Sequence, residues 1–421
     1  MLTNSFCFII ILLLIFLCYN IFNFKLHFSD EIIYANIAWK IKEEKLMPYS
    51  EFFYAHPPIH IFLLSIFFTL FPFKTFSLII FNFLISFLSL LIILKISKKI
   101  SKYFYFSLIF VIFHPVFILF NLDGTGMELA TLFSLLFFYF YILKSYEKSL
   151  IFLLLTLLTR YFAALPLLLF LFLENKFIFI LKRIYLFLPF FLLLLNNNFF
   201  QQTILYHFQR FGVKVIPDFG FQIYIFDILI YFLLFFYSKN KTIRNISFSF
   251  LIYYFFLFLL FRGSVYHYFY VPIIFTFLAS NLIENKKIGK LIIIIPILNI
   301  LINFNSLKYY FFEDGYGTSY FKHLESIYEN CIKKLNVSEI IIAGNSISVN
   351  YLSFIYDLKI VNNMFDLDPK RIYFETEPIF FEKIKNATIL IDYDYFSKYS
   401  YFEKIKNEYK EVCEKVLARI Y

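Results

Sequence analysis

Cysteine is scarce in this chain. The four present, Cys7, Cys18, Cys331 and Cys413, show no metal-ligand spacing, which excludes a cysteine-built metal centre. Two of them lie in the first apolar run. The other two share the tail, where they pair if that region faces an oxidising space and remain free thiols otherwise. A glycine-rich phosphate loop is also missing. Ile340-Ile341-Ile342-Ala343-Gly344-Asn345 resembles the strand-to-loop turn of a nucleotide-binding unit, but one glycine without G-x-G-x-x-G reads more simply as an ordinary loop. Internal repeats and low-complexity linkers are absent. So is a long basic run: the net charge of +10 comes from short clusters between apolar stretches, the way a membrane protein distributes its anchors, and this argues against nucleic-acid binding. No small-residue cleavage site follows residues 6–24, and their apolar stretch exceeds the roughly 7–15 residue core of a signal peptide, so they read as a retained first helix.

What the chain has in abundance is apolar side chains. With 61% hydrophobic residues, 66 of them Phe, and a mean hydropathy of +0.73, residues 1–305 cannot form a water-soluble core and are expected to be a polytopic helical membrane domain. Fifteen basic residues fall in five short loops around Lys95–Lys102, Lys144–Lys148, Lys176–Arg183, Lys239–Arg244 and Lys286–Lys290, which the positive-inside rule assigns to the cytoplasm. With a cytoplasmic N-terminus, residues 25–73 then lie outside. The segment between Pro58 and Pro72 is too short to cross, since about 15 residues make roughly 22 Å of helix against a hydrocarbon core of about 30 Å. It reads as a half-immersed helix on the outer face. Alternation of the remaining segments gives about 11 crossings. Two of these must fit within 150–175, as short helices meeting at Arg160 inside the protein.

Beyond residue 305 the composition changes, and residues 306–421 read as an extracytoplasmic α/β domain. Helices are expected at 319–335, 346–356, 370–385 and 399–411. Strands are expected at 338–343, 358–362 and 387–392, which favours a small, largely parallel sheet.

Asp30-Glu31 follows the first apolar run, and His56-Pro57-Pro58 precedes the next. Carboxylates held at a membrane boundary by apolar flanks are a candidate reaction centre. Other polar groups fall in loops on the same predicted face: Asp123 and Glu128, Arg210, Arg262 and His267. Arg160 sits in an apolar segment, where a guanidinium needs an anion or a water-filled cavity, because insertion costs about 2.5–3.5 kcal/mol.

The order Ser29-Asp30-Glu31-Ile32-Ile33-Tyr34-Ala35, Met47-Pro48-Tyr49, Tyr54-Ala55-His56-Pro57-Pro58 resembles the first outer loop of GT-C membrane glycosyltransferases, in the protein O-mannosyltransferase and lipid A aminoarabinose transferase branch. Shorter likenesses are Gly126-Met127-Glu128, Thr159-Arg160, Tyr266-His267-Tyr268 and the terminal α/β domain. The resemblance implies sugar transfer from a polyprenyl-phosphate carrier to an extracytoplasmic acceptor at the plasma membrane, with inversion. It implies a catalytic role for Asp30, beside Glu31. The acceptor class, whether lipid, protein or glycan, stays open. The resemblance fixes no cofactor, because the family has members with and without a divalent metal.

That chemistry suits the residues. A carboxylate can take the acceptor's proton, and cations can hold the leaving phosphate, for which Arg160, Arg210, Arg262 and His267 are candidates. His56, Tyr34, Asp123 and Glu128 are candidates for substrate contact. Each has a plainer reading. Ser29-Asp30-Glu31 can simply begin a helix, His56-Pro57-Pro58 can start the next, and His267 can belong to an interfacial aromatic belt. Two rival classes are a transporter or lipid flippase and a docking protein working through its tail. The lack of repeated halves and the collection of polar groups at one face count against transport.

Overall fold

The computed structural model describes residues 29–120, 124–209, 222–260, 266–285, 288–305, 308, 318–335, 339–365, 377–397 and 399–419. The expected first helix at 6–24 lies outside them. The chain forms two compact units.

One unit takes Ala55–His60 and Ile79–Glu313 and is helical. Helices Met127–Ile142 and Tyr146–Leu157 form a tight hairpin. Its first arm ends on Lys144 in the left-handed region (φ 59°), and Ser145 N–H donates to the Phe140 carbonyl at 2.9 Å. Helix Tyr161–Leu173 ends in the same way at Asn175 (φ 56°), with Lys176 N–H on the Leu171 carbonyl at 2.9 Å. Both caps satisfy carbonyls the helix leaves unpaired, without glycine. Helix Lys241–Leu260 packs on Tyr161–Leu173 and on Gln222–Tyr237.

Among the described residues, two helices, Lys74–Ile100 and Lys241–Leu259, are long and apolar enough to cross a membrane. A bent pair, Ile184–Leu195 and Asn197–Leu205 at 81°, makes a third if counted as one span. The other apolar helices are shorter, among them Met127–Ile142, Tyr161–Leu173 and Gly289–Ile302. Several expected crossings are therefore interrupted. The segment at 103–120 divides into Phe106–Ile112 and Pro115–Phe120, because Pro115 has no N–H to continue the first helix. The segment at 150–175 divides at Arg160, whose backbone is extended (φ −151°, ψ 100°).

Breaks in the helices are held by polar side chains. His114 Nδ1 accepts the Val116 N–H at 3.2 Å, and its Nε2 lies 3.1 Å from Asp227 Oδ1. Tyr254 donates its hydroxyl to Asp227 Oδ2 at 3.2 Å. His114 and Asp227 are both fully buried.

The second unit takes described parts of three stretches of chain: Lys25–Tyr54, Ile61–Leu78 and Asp314–Tyr421. The tail expected from residue 306 is thus grouped by its contacts with segments of the first loop. Its sheet has five strands in the order β2-β1-β3-β5-β4, namely β1 Ile341–Gly344, β2 Lys359–Ile360, β3 Ile389–Ile391, β4 Tyr409–Cys413 and β5 Val416–Arg419. β1 runs parallel to β2 and β3, while β5 pairs antiparallel with β3 and β4. The sheet is mixed, which corrects the largely parallel expectation. The helix expected at 399–411 is also shorter, ending at Lys406, and the chain then turns into the β4–β5 hairpin. Gly344 serves close strand packing: a Cβ there would meet the Ile391 carbonyl oxygen at 2.1 Å. Asn345 caps helix Ser346–Tyr356 by accepting the Ile347 N–H at 2.9 Å. Cys331 and Cys413 are joined in a disulfide with their Cα atoms 6.4 Å apart.

Candidate active site

In the second unit, Asp30 and Glu31 occupy the first turn of helix Ser29–Glu44, where the backbone N–H groups and the helix dipole favour negative charge. Asp30 is half-buried and Glu31 is 1% exposed. Residues 31–41 are buried on every side of this helix, including the polar Asn36 and Lys40. Such burial is unusual for a segment of this mixed polarity, so its carboxylates are fixed groups and not a solvated face. Tyr34, a buried neighbour on the same helix, meets Tyr54 edge-to-face with ring centroids 5.9 Å apart.

In the helical unit, three sequence-selected residues belong to one set of loops and helix starts. His56 opens the run His56-Pro57-Pro58, and its ring lies 5.1 Å from that of His207. The nitrogen Nε2 of His207 is 2.9 Å from the Ala55 carbonyl oxygen, to which it donates, and the rings of Tyr161 and Phe162 lie 5.7 and 6.1 Å away. Glu128 is buried at the start of helix Met127–Ile142. Just before it, Gly126 has φ +83°, and a Cβ there would come within 2.7 Å of His60 Cγ, so both backbone and space require glycine.

Arg160 is 8% exposed, and its Nη2 donates to the Thr125 carbonyl. This bond ties the loop before Glu128 to the break between two helices. His60, 1% exposed, is pushed down to about 3 by burial and by the Arg160 charge, so its imidazole is neutral at any ordinary pH. No cationic imidazole therefore stands beside the guanidinium to share an anion. A small cavity beside Glu128 is lined by Ser86, Ser89, Thr131 and Tyr270 among apolar groups.

The remaining candidates are not described. Asp123, Arg210 and Arg262 lie outside the described residues. His267 belongs to helix Tyr266–Phe275, but its side chain lies outside them. Two site residues escaped the sequence reading. His60 stands in the first turn of the helix that follows His56-Pro57-Pro58, two residues after the proline pair, whereas His207 sits in no motif at all. Among the described residues, no group of three or more His, Cys, Asp or Glu could hold a metal ion.

No protein-family model matches the chain, and no curated protein matches it. Two solved structures share its fold over almost the whole length. The crystal structure of ArnT from Cupriavidus metallidurans bound to undecaprenyl phosphate superposes with a TM-score of 0.66 at 12% identity, covering 99% of this chain and 98% of that one. The apo structure of the same protein gives a TM-score of 0.60 with the same identity and coverage. The chain therefore shares the fold of that protein over almost its whole length.

Proposed function

We propose that this GT-C chain is a plasma-membrane glycosyltransferase that moves a sugar from a polyprenyl-phosphate donor to an acceptor outside the cytoplasm. The observation that carries the reading is the whole-length likeness to a protein crystallised with undecaprenyl phosphate. The buried helix that opens on Asp30 and Glu31 supports it further.

In this reading Asp30 takes the proton from the acceptor hydroxyl as its oxygen attacks the anomeric carbon. The bond from that carbon to the phosphate oxygen breaks, and the electron pair leaves with the phosphate. A single displacement inverts the anomeric centre. Glu31 keeps the local potential negative, favouring Asp30 as a proton acceptor. Arg160 holds the charge gathering on the leaving phosphate, a role suited to its burial and to the neutrality of His60. Arg210, Arg262 and His267 are further donors to the phosphate. His56, Tyr34, Asp123 and Glu128 orient the sugar and the acceptor. The N-terminus is cytoplasmic and the tail extracytoplasmic, a side supported by the Cys331–Cys413 disulfide, since such bonds persist in oxidising compartments. The acceptor is a lipid, protein or glycan.

The test is transfer of radiolabelled sugar from undecaprenyl-phosphate pentoses and hexoses in membranes containing the full chain. Asp30→Asn is expected to lower the rate by roughly 100- to 10,000-fold, the usual contribution of a positioned base. Full activity in that variant would remove Asp30 from the mechanism.

A further inference from the structure

The helix that carries Asp30 and Glu31 is packed on helix Ser346–Tyr356, more than three hundred residues away in sequence. A polar link runs across that contact. Asn36 Nδ2 donates to Asn350 Oδ1 at 2.9 Å, and both residues are fully buried. Asn350 is itself fixed, donating Nδ2 to the Ser346 carbonyl at 2.7 Å and to the Phe365 carbonyl. The surroundings are aromatic. Trp39 meets Phe68 edge-to-face at 5.6 Å, Phe68 lies 6.0 Å from Phe354, and Phe52 lies 5.3 Å from Phe365.

Apolar helix contacts tolerate small sliding, because one hydrocarbon surface replaces another. A buried amide pair does not: a slip of one residue, about 1.5 Å along the axis, strands a donor and an acceptor away from water. Such pairs are the best-attested device for fixing register at a helix interface. Asn36 stands five and six residues from Glu31 and Asp30 on one continuous helix, so whatever fixes its register fixes theirs.

We propose that Asn350 is a positioning residue, holding the Asp30–Glu31 helix in register through Asn36, and that the α/β tail is thereby a working part of the transferase and not an appended binding module. The proposal rests on the reading of Asp30 as the base.

The test compares full-length wild type with Asn36→Leu, Asn350→Ala and the double variant in detergent. Leucine fills the space of asparagine without its amide, so it preserves packing and removes only the link. With undecaprenyl-phosphate sugars as donors, each single variant is expected to lose kcat by roughly 10- to 100-fold, the scale of an ångström-sized misplacement, while the donor KM stays within about twofold. The double variant is expected to fall no further than the worse single one. Unchanged kcat, or losses that multiply in the double variant, would overturn the link. A second readout needs no activity: amide hydrogen exchange across residues 29–44 is expected to accelerate at least tenfold in both single variants, and unchanged exchange would overturn the proposal. If wild type transfers no sugar, the functional reading fails and exchange alone decides whether Asn350 holds the helix.

Discussion

The two compact units hold their polar groups in opposite ways. In the helical unit, polar side chains collect where helices stop: Arg160 between two helices, His114 at a proline break, Glu128 just after a left-handed glycine. In the second unit, the acids ride on an unbroken 16-residue helix whose position is set by side chains of the tail. A helix interruption frees backbone groups that must be satisfied, so it gathers polar side chains. An unbroken helix has no such need and depends on docking for its placement. The first arrangement is local in sequence and the second is not.

That contrast is open to breakage, starting with the largest effect. Asp227→Ala removes the carboxylate that the buried His114 and Tyr254 face and should destabilise the helical unit by about 1–3 kcal/mol for each of them, read as a lowered thermal midpoint in detergent. Helix 29–44 should keep its exchange protection until that midpoint is reached. Arg160→Met should cost roughly 100- to 1,000-fold in transfer rate, the loss expected for a preorganised donor to a developing anion. Arg160→Lys should recover only part of it, since lysine keeps the charge without the planar fork. In the second unit, replacing Cys331 and Cys413 by serine should cost about 2–4 kcal/mol, with exchange rising first in the tail and in residues 29–44.

The last effect concerns acid. His60 has a folded-state pKa of about 3, below the ordinary histidine value, so between about 6.5 and 3 the unfolded chain binds a proton that the folded chain refuses. Stability is therefore complete above the ordinary value and falls as the pH drops through this window. His60→Gln should flatten the decline in thermal midpoint between pH 7 and 4. An unchanged slope would show that other groups set the acid sensitivity.

Much of this architecture was legible from sequence. The proline pair and the short apolar stretch pointed to the helix Ile59–Leu70, and the charge pattern demanded the break at Arg160. The strand and helix order of the tail was readable through β3 and the start of the helix after it. What followed was not, because the β4–β5 turn is Glu414-Lys415 with Lys415 at φ 60°, a hairpin without the Asn-Gly or Asp-Gly that usually announces one. Of the candidate site, His56, Glu128 and Arg160 stood out by motif or by the cost of burial. His207 did not, and nor did the His114–Asp227–Tyr254 network at the helix break, because their partners lie in segments distant in the chain and no spacing records the meeting. The Asn36–Asn350 bond, with 314 residues between its ends, is the extreme case.

That distance also sets an order of events during synthesis. The acid-bearing helix leaves the ribosome about three hundred residues before the surface that holds it. Until residues 346–356 emerge, this early helix has no native partner for its amide. A chain that stalls or is cut before residues 346–356 therefore carries both acids without the helix that aims them.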